Sequence, residues 1–287
     1  MKHQKKMFAS LAALGLTVAL SACNTTPGAT PAGPGGDGGD GEGGGGGTVN
    51  IGIKYDQPGL GLKEGENYTG FDVEVANYVA NELGYDNVNF IETPSPQREA
   101  MLQGGQVEMI FATYSITDSR KERVSFAGPY FIAGQDLLVQ EGSDITGPDA
   151  MDGKRLCSVT GSTPAQRIKD EYSQGVQLQE FDTYTKCVDA LNSGTVDAVT
   201  TDNVILAGYA AQDQYAGSLK LVGQPFSEEK YGVGIAKGDV ELCERINAAL
   251  TKMVDSGEWE NALEKTVGPS GFQFDTATNP PQHDACS

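Results

Sequence analysis

Three polar segments of the chain carry side chains suited to binding a small charged molecule. Arg120 follows Ser115 by five residues, and its guanidinium offers planar, paired donors that match a carboxylate. In residues 160–164 (TGSTP), Thr163 can cap a helix and the proline favours its first position, which leaves backbone N–H groups free to hold an anion. Asp202 suits a cationic amine. A zwitterion would use both kinds of group.

A second arginine suggests that the ligand carries two carboxylates. Ser95 and Arg98 begin the helical pattern that precedes Thr113, so Arg98 places another cation near the same edge. The residue types alone also allow explanations in which these groups bind no ligand. The helix at Thr163 would be capped and bind nothing, Arg120 would pair with a structural acid, and Arg98 would lie on the helix surface.

An internal repeat indicates which elements position these groups. Residues 102–113 align with residues 191–202 at a constant offset of 89, with leucine, glycine, valine and an acid at matching positions. In each copy a helical pattern, Arg98 to Gln103 or Thr185 to Leu191, ends at glycine. A short β-rich strand follows and runs out into polar residues. The chance recurrence of a helix–glycine–strand unit is the simpler explanation.

The two halves of the chain begin in the same way. A strand pattern over residues 49–53 precedes an amphipathic helix over residues 71–83, and a strand over 155–159 precedes a helix that continues to Glu171. Strands that alternate with helices predict parallel sheets, so we expect two α/β lobes. Ligands bind beyond the carboxyl ends of such strands, and two facing edges make a cleft.

The first residues have the pattern of an exported, lipid-modified protein. Three lysines precede an uncharged apolar run over residues 7–20, which is too short to span a bilayer. Residues 20–23 (LSAC) resemble a bacterial lipobox, in which the cysteine is diacylated and becomes the first residue of the mature chain. We therefore expect residues 1–22 to be a lipoprotein signal peptide and Cys23 to be lipidated. An ordinary signal with a chance cysteine is the alternative.

The next segment has the composition of a flexible linker. Residues 24–47 are almost wholly glycine, proline, threonine and alanine with a few acids, so we expect residues 23–47 to be the lipidated cysteine and a disordered tether. Removing residues 1–22 takes away three lysines and no acids, which changes the formal charge from −19 to −22. Such a surface repels phosphates and anionic lipids. We expect no nucleic-acid partner, and contact with the membrane through the lipid anchor only.

The remaining cysteines fit an exported protein with disulfide bonds. Four are left, Cys157, Cys187, Cys243 and Cys286, and four cysteines allow three pairings. Cys157 and Cys187 fall in consecutive elements of one half, which suggests that they join one lobe, while Cys243 would tie the polar tail through Cys286. A zinc site is the alternative, but no CxxC and no histidine in the folded domain supports it. We expect no metal and no cofactor.

Several long motifs stand in a fixed order along the chain. They are Gly70-Phe71-Asp72-Val73, Ala112-Thr113-Tyr114-Ser115-Ile116-Thr117-Asp118-Ser119-Arg120-Lys121, Phe126-Ala127-Gly128-Pro129-Tyr130, Gly153-Lys154-Arg155, Thr160-Gly161-Ser162-Thr163, Ala198-Val199-Thr200-Thr201-Asp202 and Tyr231-Gly232-Val233-Gly234-Ile235-Ala236-Lys237-Gly238. With them, the chain from about Thr48 to Gly268 resembles the polar amino-acid family of solute-binding proteins of ABC importers. Within that family it is most similar to glutamate-binding lipoproteins of actinobacterial type.

The resemblance implies roles for the polar residues. Arg120 would grip the ligand α-carboxylate together with Ser115 and the loop 162–163. The α-amine would meet Asp202, Ser115 and the Thr113 carbonyl.

The resemblance also implies contacts for the ligand side chain. In relatives that bind acidic amino acids, a Ser-x-x-Arg motif that matches Ser95 and Arg98 contacts the side-chain carboxylate. Either Tyr55 or Lys54 would contribute at the end of the first strand. Thr201 stands where some of those relatives have histidine. The ligand-binding residues expected from the resemblance are Arg120, Asp202, Ser115, Thr113, Ser162, Thr163, Thr160, Arg98, Ser95, Tyr55, Thr201 and Phe71.

The family fold is a type II periplasmic-binding-protein-like α/β fold, with two lobes joined by crossover strands. The resemblance places these near Gln135 to Val139 and near Tyr231 to Ile235. Lobe 1 would comprise 48–136 plus 233–268, lobe 2 would comprise 137–232, and 269–287 would form a C-terminal tail.

The function implied is that of an extracellular substrate-binding lipoprotein, anchored on the outer face of the cell membrane. It would capture L-glutamate, or alternatively aspartate, glutamine or asparagine, close by a hinge motion, and deliver the ligand as a monomer to an ABC permease. An enzyme similar to cyclohexadienyl dehydratases is the rival on the same fold. The folded domain lacks histidine and a recognisable carboxylate pair, which argues against catalysis.

Overall fold

The computed structural model describes residues 46–172 and 175–287. The predicted signal peptide, Cys23 and the predicted tether up to residue 45 lie outside the described residues. Within the described ranges, no helix combines the length and the apolar character needed to cross a membrane.

Strands and helices alternate through both halves of the chain. The strands are β1 (Thr48–Ile53), β2 (Asp56–Gln57), β3 (Gly61–Glu64), β4 (Asn67–Thr69), β5 (Asn87–Glu92), β6 (Met109–Ile110), β7 (Ser125–Ala133), β8 (Gln135–Gln140), β9 (Arg155–Val159), β10 (Gln177–Phe181), β11 (Ala198–Asp202), β12 (Leu219–Leu221) and β13 (Glu229–Ile235). The helices are α1 (Phe71–Glu82), α2 (Arg98–Gln103), α3 (Asp118–Lys121), α4 (Thr163–Glu171), α5 (Tyr184–Asn192), α6 (Asn203–Ala210), α7 (Val240–Asp255) and α8 (Glu258–Thr266).

Each lobe is built on its own sheet. The first has the order β5-β1-β6-β13-β7, in which β1 runs parallel to β5 and β6, and β13 runs antiparallel to β6 and β7. The second has the order β10-β9-β11-β8-β12, in which β9 runs parallel to β10 and β11, and β8 runs antiparallel to β11 and β12. The predicted α/β fold with two lobes is confirmed.

The internal repeat corresponds to equivalent structure in the two lobes. Gly105 and Gly194, which the offset aligns, follow α2 and α5 with φ of +64° and +75°, a region that favours glycine. The aligned acids also act alike. Glu108 Oε2 accepts from Asn50 N of β1 at 3.0 Å, and Asp197 Oδ2 accepts from Arg155 N of β9 at 2.8 Å. The conserved spacing therefore joins the returning strand to the first strand of its own lobe.

The chain crosses between lobes at slightly different places from those expected. Strand β7 ends at Ala133 and β8 begins at Gln135 in the other sheet, so the first crossing is at Gly134. All of β13 pairs in the first sheet, beginning with Glu229 opposite Ala133. Residues 229–232 thus belong to lobe 1, and the second crossing falls in 222–228. Antiparallel pairing with β7 explains the difference, because β13 pairs with β7 from its first residue onward.

Two disulfide bonds join Cys157 to Cys187 and Cys243 to Cys286, as the sequence predicted. The first links β9 to α5 inside lobe 2. The second holds the C-terminal tail on α7 of lobe 1. The tail also pairs with β7, where Asn279 Oδ1 accepts from the Ile132 N–H at 2.8 Å. The tail is therefore an integral part of lobe 1.

Candidate functional site

The two lobes touch across the cleft. Thr163 Oγ1 of lobe 2 donates to Ser115 Oγ of lobe 1 at 3.1 Å, and Arg120 Nη2 donates to the Gly161 carbonyl at 3.2 Å. Gly161 has φ +75°, and a Cβ there would lie 3.0 Å from Pro96 N, so glycine suits both the backbone conformation and the contact. The two segments predicted to bind a carboxylate thus face each other in a closed arrangement.

Arg120 lies on α3, at the wall formed by lobe 1. Thr117 caps this helix by accepting from Arg120 N at 3.3 Å, which fixes the origin of the side chain. Nη1 donates to the Ser115 carbonyl at 2.7 Å, and the guanidinium lies 4.9 Å from the centre of the Tyr114 ring. Glu99 Oε1 is 3.7 Å from Nε, so the structural acid considered above exists but pairs at long range. A closer carboxylate would make a stronger pair.

Lys54 and Arg98 are buried cations in the same wall, exposed by only 5% and 2%. Lys54 Nζ donates to Ser95 Oγ at 2.8 Å, and Arg98 donates to the Ala112 carbonyl at 3.1 Å. Neither forms an ion pair with any described carboxylate. Burial, and then the charge of Arg98, lower the pKa of Lys54 to about 7. Burial, and then Arg120, lower the pKa of Arg98 to about 10. An anion placed here would stabilise the charged forms of both side chains and raise both pKa values.

Asp202 ends β11 in the wall formed by lobe 2 and is 3% exposed. Its Oδ2 accepts from the Tyr231 hydroxyl at 2.6 Å, whereas Oδ1 has no hydrogen-bond partner in the described part of the chain. Burial, and then the charge of Glu229, raise the pKa of Asp202 to about 8. A cationic amine at Oδ1 would satisfy the free oxygen and restore the charged carboxylate.

Thr113 occupies the matching position of the repeat in lobe 1, with an unusual backbone. Its φ is +45°, which non-glycine residues seldom adopt. The buried Asp72 holds this conformation, because its Oδ2 accepts from Thr113 N at 2.9 Å while Oδ1 accepts from the Tyr130 hydroxyl at 2.6 Å. Such over-determined strain is typical of functional sites.

Gln57 supplies an uncommitted donor beside Thr113. The Thr113 hydroxyl donates to the Ala112 carbonyl at 2.8 Å and lies 3.3 Å from Gln57 Oε1, and Gln57 is fully buried. Its Nε2 has no partner among residues 46–172 and 175–287. A buried donor without a partner is costly, which favours a ligand acceptor at this point.

The start of α4 differs in detail from the expected anion loop. The cap is Ser162, whose hydroxyl accepts from Ala165 N at 3.1 Å, and Thr163 is the first helical residue. The proline therefore takes the second helical position rather than the first. The N–H groups of Thr160 and Ser162 donate to the Phe181 and Val159 carbonyls, so only the other N–H groups of the loop remain available. The Thr163 side chain is freed from capping and reaches Ser115 instead.

Three expected ligand contacts lie outside the cleft. The Tyr55 hydroxyl donates to the Phe90 carbonyl at 2.8 Å, and its ring packs on Tyr68. Neighbouring side chains of an extended segment point to opposite faces, so Tyr55 and Lys54 face different ways. Phe71 is fully buried in the core of lobe 1, and Thr160 is exposed on the outer part of its loop. Of the two alternatives at the end of β1, Lys54 is the one in the cleft.

The last expected contact, Thr201, is buried one residue before Asp202, and its Oγ1 has no hydrogen-bond partner among the described residues. Four other groups of the cleft had no predicted binding role, although Asp72, Tyr114 and Tyr231 lie within the family motifs. Gln57 is a lone polar residue after a turn, and Asp72 resembles an ordinary acid of a first helical turn. Tyr114 and Tyr231 read as apolar members of strands. Burial of polar atoms identifies all four, and burial is a tertiary property.

Comparisons with known proteins identify similar sequences and a similar structure. The sequence profile of the family described as bacterial extracellular solute-binding proteins, family 3, matches residues 49–269. A glutamate-binding protein, GluB, of Corynebacterium efficiens is 51% identical over 236 residues, which is 77% of this chain and 79% of that protein. The ABC transporter glutamine-binding protein GlnH of Bacillus subtilis is 37% identical over 222 residues, 76% of this chain and 80% of that protein.

A solved structure with the same architecture is that of an ancestral arginine-binding protein bound to glutamine. It superimposes with a TM-score of 0.72 at 37% identity, and the match covers 77% of this chain and 98% of that one.

Proposed function

Because the chain belongs to the bacterial extracellular solute-binding proteins of family 3, we propose that it captures an amino acid between its lobes for an ABC importer. The closed cleft would bind the ligand by its α-carboxylate and α-amine. Arg120 and Ser115 would bind the carboxylate, and Asp202 Oδ1 would bind the amine. The loaded, closed protein would then deliver the amino acid to a membrane permease.

The ligand we propose is L-glutamate, and one observation carries this choice. Lys54 and Arg98 are two buried cations without an ion-pair partner in the described ranges, adjacent to the α-carboxylate site at Arg120. Buried charges are costly unless paired, and a side-chain carboxylate would pair with both. An amide would leave them unpaired. The 51% identity to a protein named for glutamate binding supports the same choice.

Isothermal calorimetry on the purified protein tests the ligand. We expect binding at one site, with L-glutamate bound more tightly than aspartate, glutamine or asparagine. The cost of leaving a buried cation unpaired predicts a preference over glutamine of ~10- to 100-fold. Tighter binding of glutamine or asparagine would refute the acidic ligand, and no binding of any of the four would refute amino-acid capture.

The matched relatives are named as binding proteins, and we propose that this chain likewise performs no reaction. Incubation with prephenate, the kind of cyclohexadienyl acid that the rival enzyme class converts, is expected to leave the compound unchanged. Formation of an aromatic product with loss of water would contradict this proposal.

We also propose that lipid on Cys23 holds the protein on the outer face of the cell membrane as a monomer. The motif at residues 20–23 supports this. A glycine-rich chain spans ~5–6 Å × √n, so the 24 residues after Cys23 would reach roughly 25–30 Å. Mass spectrometry of the N-terminal peptide from membranes should find a diacylated cysteine. An unmodified Cys23, or a longer N-terminus, would rule out the anchor.

A further inference from the structure

A second set of contacts joins the lobes beside the proposed amino-acid site. Asp56, on β2 of lobe 1, reaches the first turn of α5 in lobe 2. Its Oδ2 accepts from Tyr184 N at 2.9 Å and from Thr185 N at 3.5 Å. A carboxylate at a helix N-terminus is favoured by the helix dipole and by the unpaired N–H groups there.

Tyr209 of α6 completes this contact from a third element. Its hydroxyl is 3.2 Å from Asp56 Oδ2, and it also donates to the Asp56 carbonyl and lies 3.1 Å from Thr185 Oγ1. Burial, and then the charge of Asp56, raise the pKa of Tyr209 well above its ordinary value. The phenol therefore stays protonated and remains a donor at neutral pH.

The contact surface of lobe 2 is shaped to let lobe 1 approach. Gly208 lies inside α6, where glycine costs helix stability and no positive φ requires it. A Cβ at Gly208 would lie 2.2 Å from the Pro58 carbonyl oxygen of lobe 1. The bare backbone of α6 is what allows the loop around Pro58 to close onto it.

Helix α5 does not need Asp56 in order to form. Thr183 already caps the helix, accepting from Lys186 N at 3.4 Å, and the helix is linked to β9 by the Cys157–Cys187 bond. Asp56 adds acceptors only for the N–H groups that Thr183 leaves free. Because these bonds run between the lobes, separation of the lobes would exchange them for bonds to water.

We propose that Asp56 is a closure latch: its bonds to the N-terminus of α5 and to Tyr209 stabilise the closed form and slow ligand release. It is a positioning residue, since it acts through the lobe–lobe equilibrium rather than by binding the ligand. The effect on ligand release rests on the proposed amino-acid function, whereas the contact between lobes does not.

The test compares Asp56→Asn with Asp213→Asn, which removes the same charge from an exposed residue of lobe 2. Amide hydrogen exchange at Tyr184 and Thr185 is measured by NMR with and without L-glutamate. Loss of a charge-assisted hydrogen bond predicts exchange ~10-fold faster or more at both amides in Asp56→Asn, and unchanged exchange in Asp213→Asn. Equal exchange in the two variants would overturn the latch.

Stopped-flow dissociation of L-glutamate gives the second measurement. We expect release ~10-fold faster in Asp56→Asn and in Tyr209→Phe, and unchanged release in the control Asp213→Asn. Gly208→Ala should accelerate release through a steric clash while Asp56 is intact. Wild-type release rates in all three variants would overturn the latch.

The two proposals fail in different ways. If the wild-type protein and Asp213→Asn bind none of the amino acids tested, the proposed function fails. Exchange at Tyr184 and Thr185 in the ligand-free proteins then still decides whether Asp56 joins the lobes.

Discussion

The two walls of the cleft contribute opposite charges. Lobe 1 presents the buried cations Lys54, Arg98 and Arg120, whereas lobe 2 presents Asp202 with one carboxylate oxygen free. A zwitterion with a second carboxylate needs both walls, because its anionic groups fit lobe 1 and its amine fits lobe 2. Neither lobe alone would satisfy such a ligand, so recognition would be coupled to closure.

The same contrast appears at one position of the internal repeat. After the helix–glycine unit of each lobe, Thr113 lies just beyond strand β6 and Asp202 is the last residue of strand β11. In lobe 1 the position carries a neutral residue with a strained backbone, fixed by Asp72. In lobe 2 it carries a carboxylate, oriented by Tyr231. The repeat places a polar residue at the same point of each lobe, and the difference between Thr113 and Asp202 contributes to the different charge of the two walls.

The largest expected effect comes from the cation of lobe 1 that contacts both walls. Arg120→Ala removes the partner of the ligand α-carboxylate, so we expect a loss of ~3–5 kcal/mol in binding free energy for every amino acid that binds. Calorimetry measures it, with Arg123→Ala, an exposed arginine nearby, as the control. Equal losses in the two variants would show that Arg120 has no special role.

Removing a disulfide should separate stability from recognition. Cys157 and Cys187 close a loop of 30 residues in lobe 2, so replacing both by alanine should lower the free energy of unfolding by ~3–4 kcal/mol. The disulfide does not involve Asp202, so the affinity for the amino acid at low temperature should change little. Denaturant unfolding and calorimetry provide the two numbers, and a large loss of affinity without loss of stability would contradict the separation.

The side-chain site of lobe 1 is tested by ligand preference. Arg98→Gln keeps a polar side chain, although a shorter one, and removes the buried charge. We expect glutamate to lose ~1.5–3 kcal/mol in binding free energy, and glutamine to lose much less. Competition between the two ligands on the variant measures the change in preference. An equal loss for both would place the glutamate side chain away from Arg98.

The smallest expected effect is the uptake of a proton by Lys54 of lobe 1 when the ligand binds. With a pKa of about 7, Lys54 is mostly neutral at about pH 8.5, and a ligand carboxylate would raise its pKa and charge it again. Glutamate should therefore take up close to one proton more than glutamine at that pH. Release from Asp202 accompanies either ligand.

Calorimetry in two buffers of different ionisation enthalpy counts these protons. The affinity for glutamate relative to glutamine should fall as the pH rises above about 7, because protonation of Lys54 then costs more. The same proton count for both ligands would remove Lys54 from the side-chain site.

Much of the fold followed from local patterns. The glycines at the ends of α2 and α5, the alternation of strands with helices, and the cysteine placement each depend on neighbours in sequence. The second crossing lies a few residues before the expected one, because the pairing of β13 with β7 is a long-range contact that no local pattern indicates.

The site was harder to predict for a physical reason. Arg120 and Asp202 follow strand ends, where topology exposes side chains to a cleft. Gln57 and Asp72 matter because their polar atoms are buried, and Phe71 is excluded because it packs in the core. Burial depends on how the two lobes pack together, and local sequence patterns do not indicate that packing.

The most direct test of the division between the two walls is a crystal structure with L-glutamate bound. We expect the α-carboxylate on Arg120, the side-chain carboxylate within hydrogen-bond distance of Lys54 and Arg98, and the amine on Asp202 Oδ1. A ligand whose amine lies among the cations of lobe 1, or whose side-chain carboxylate contacts only lobe 2, would contradict it.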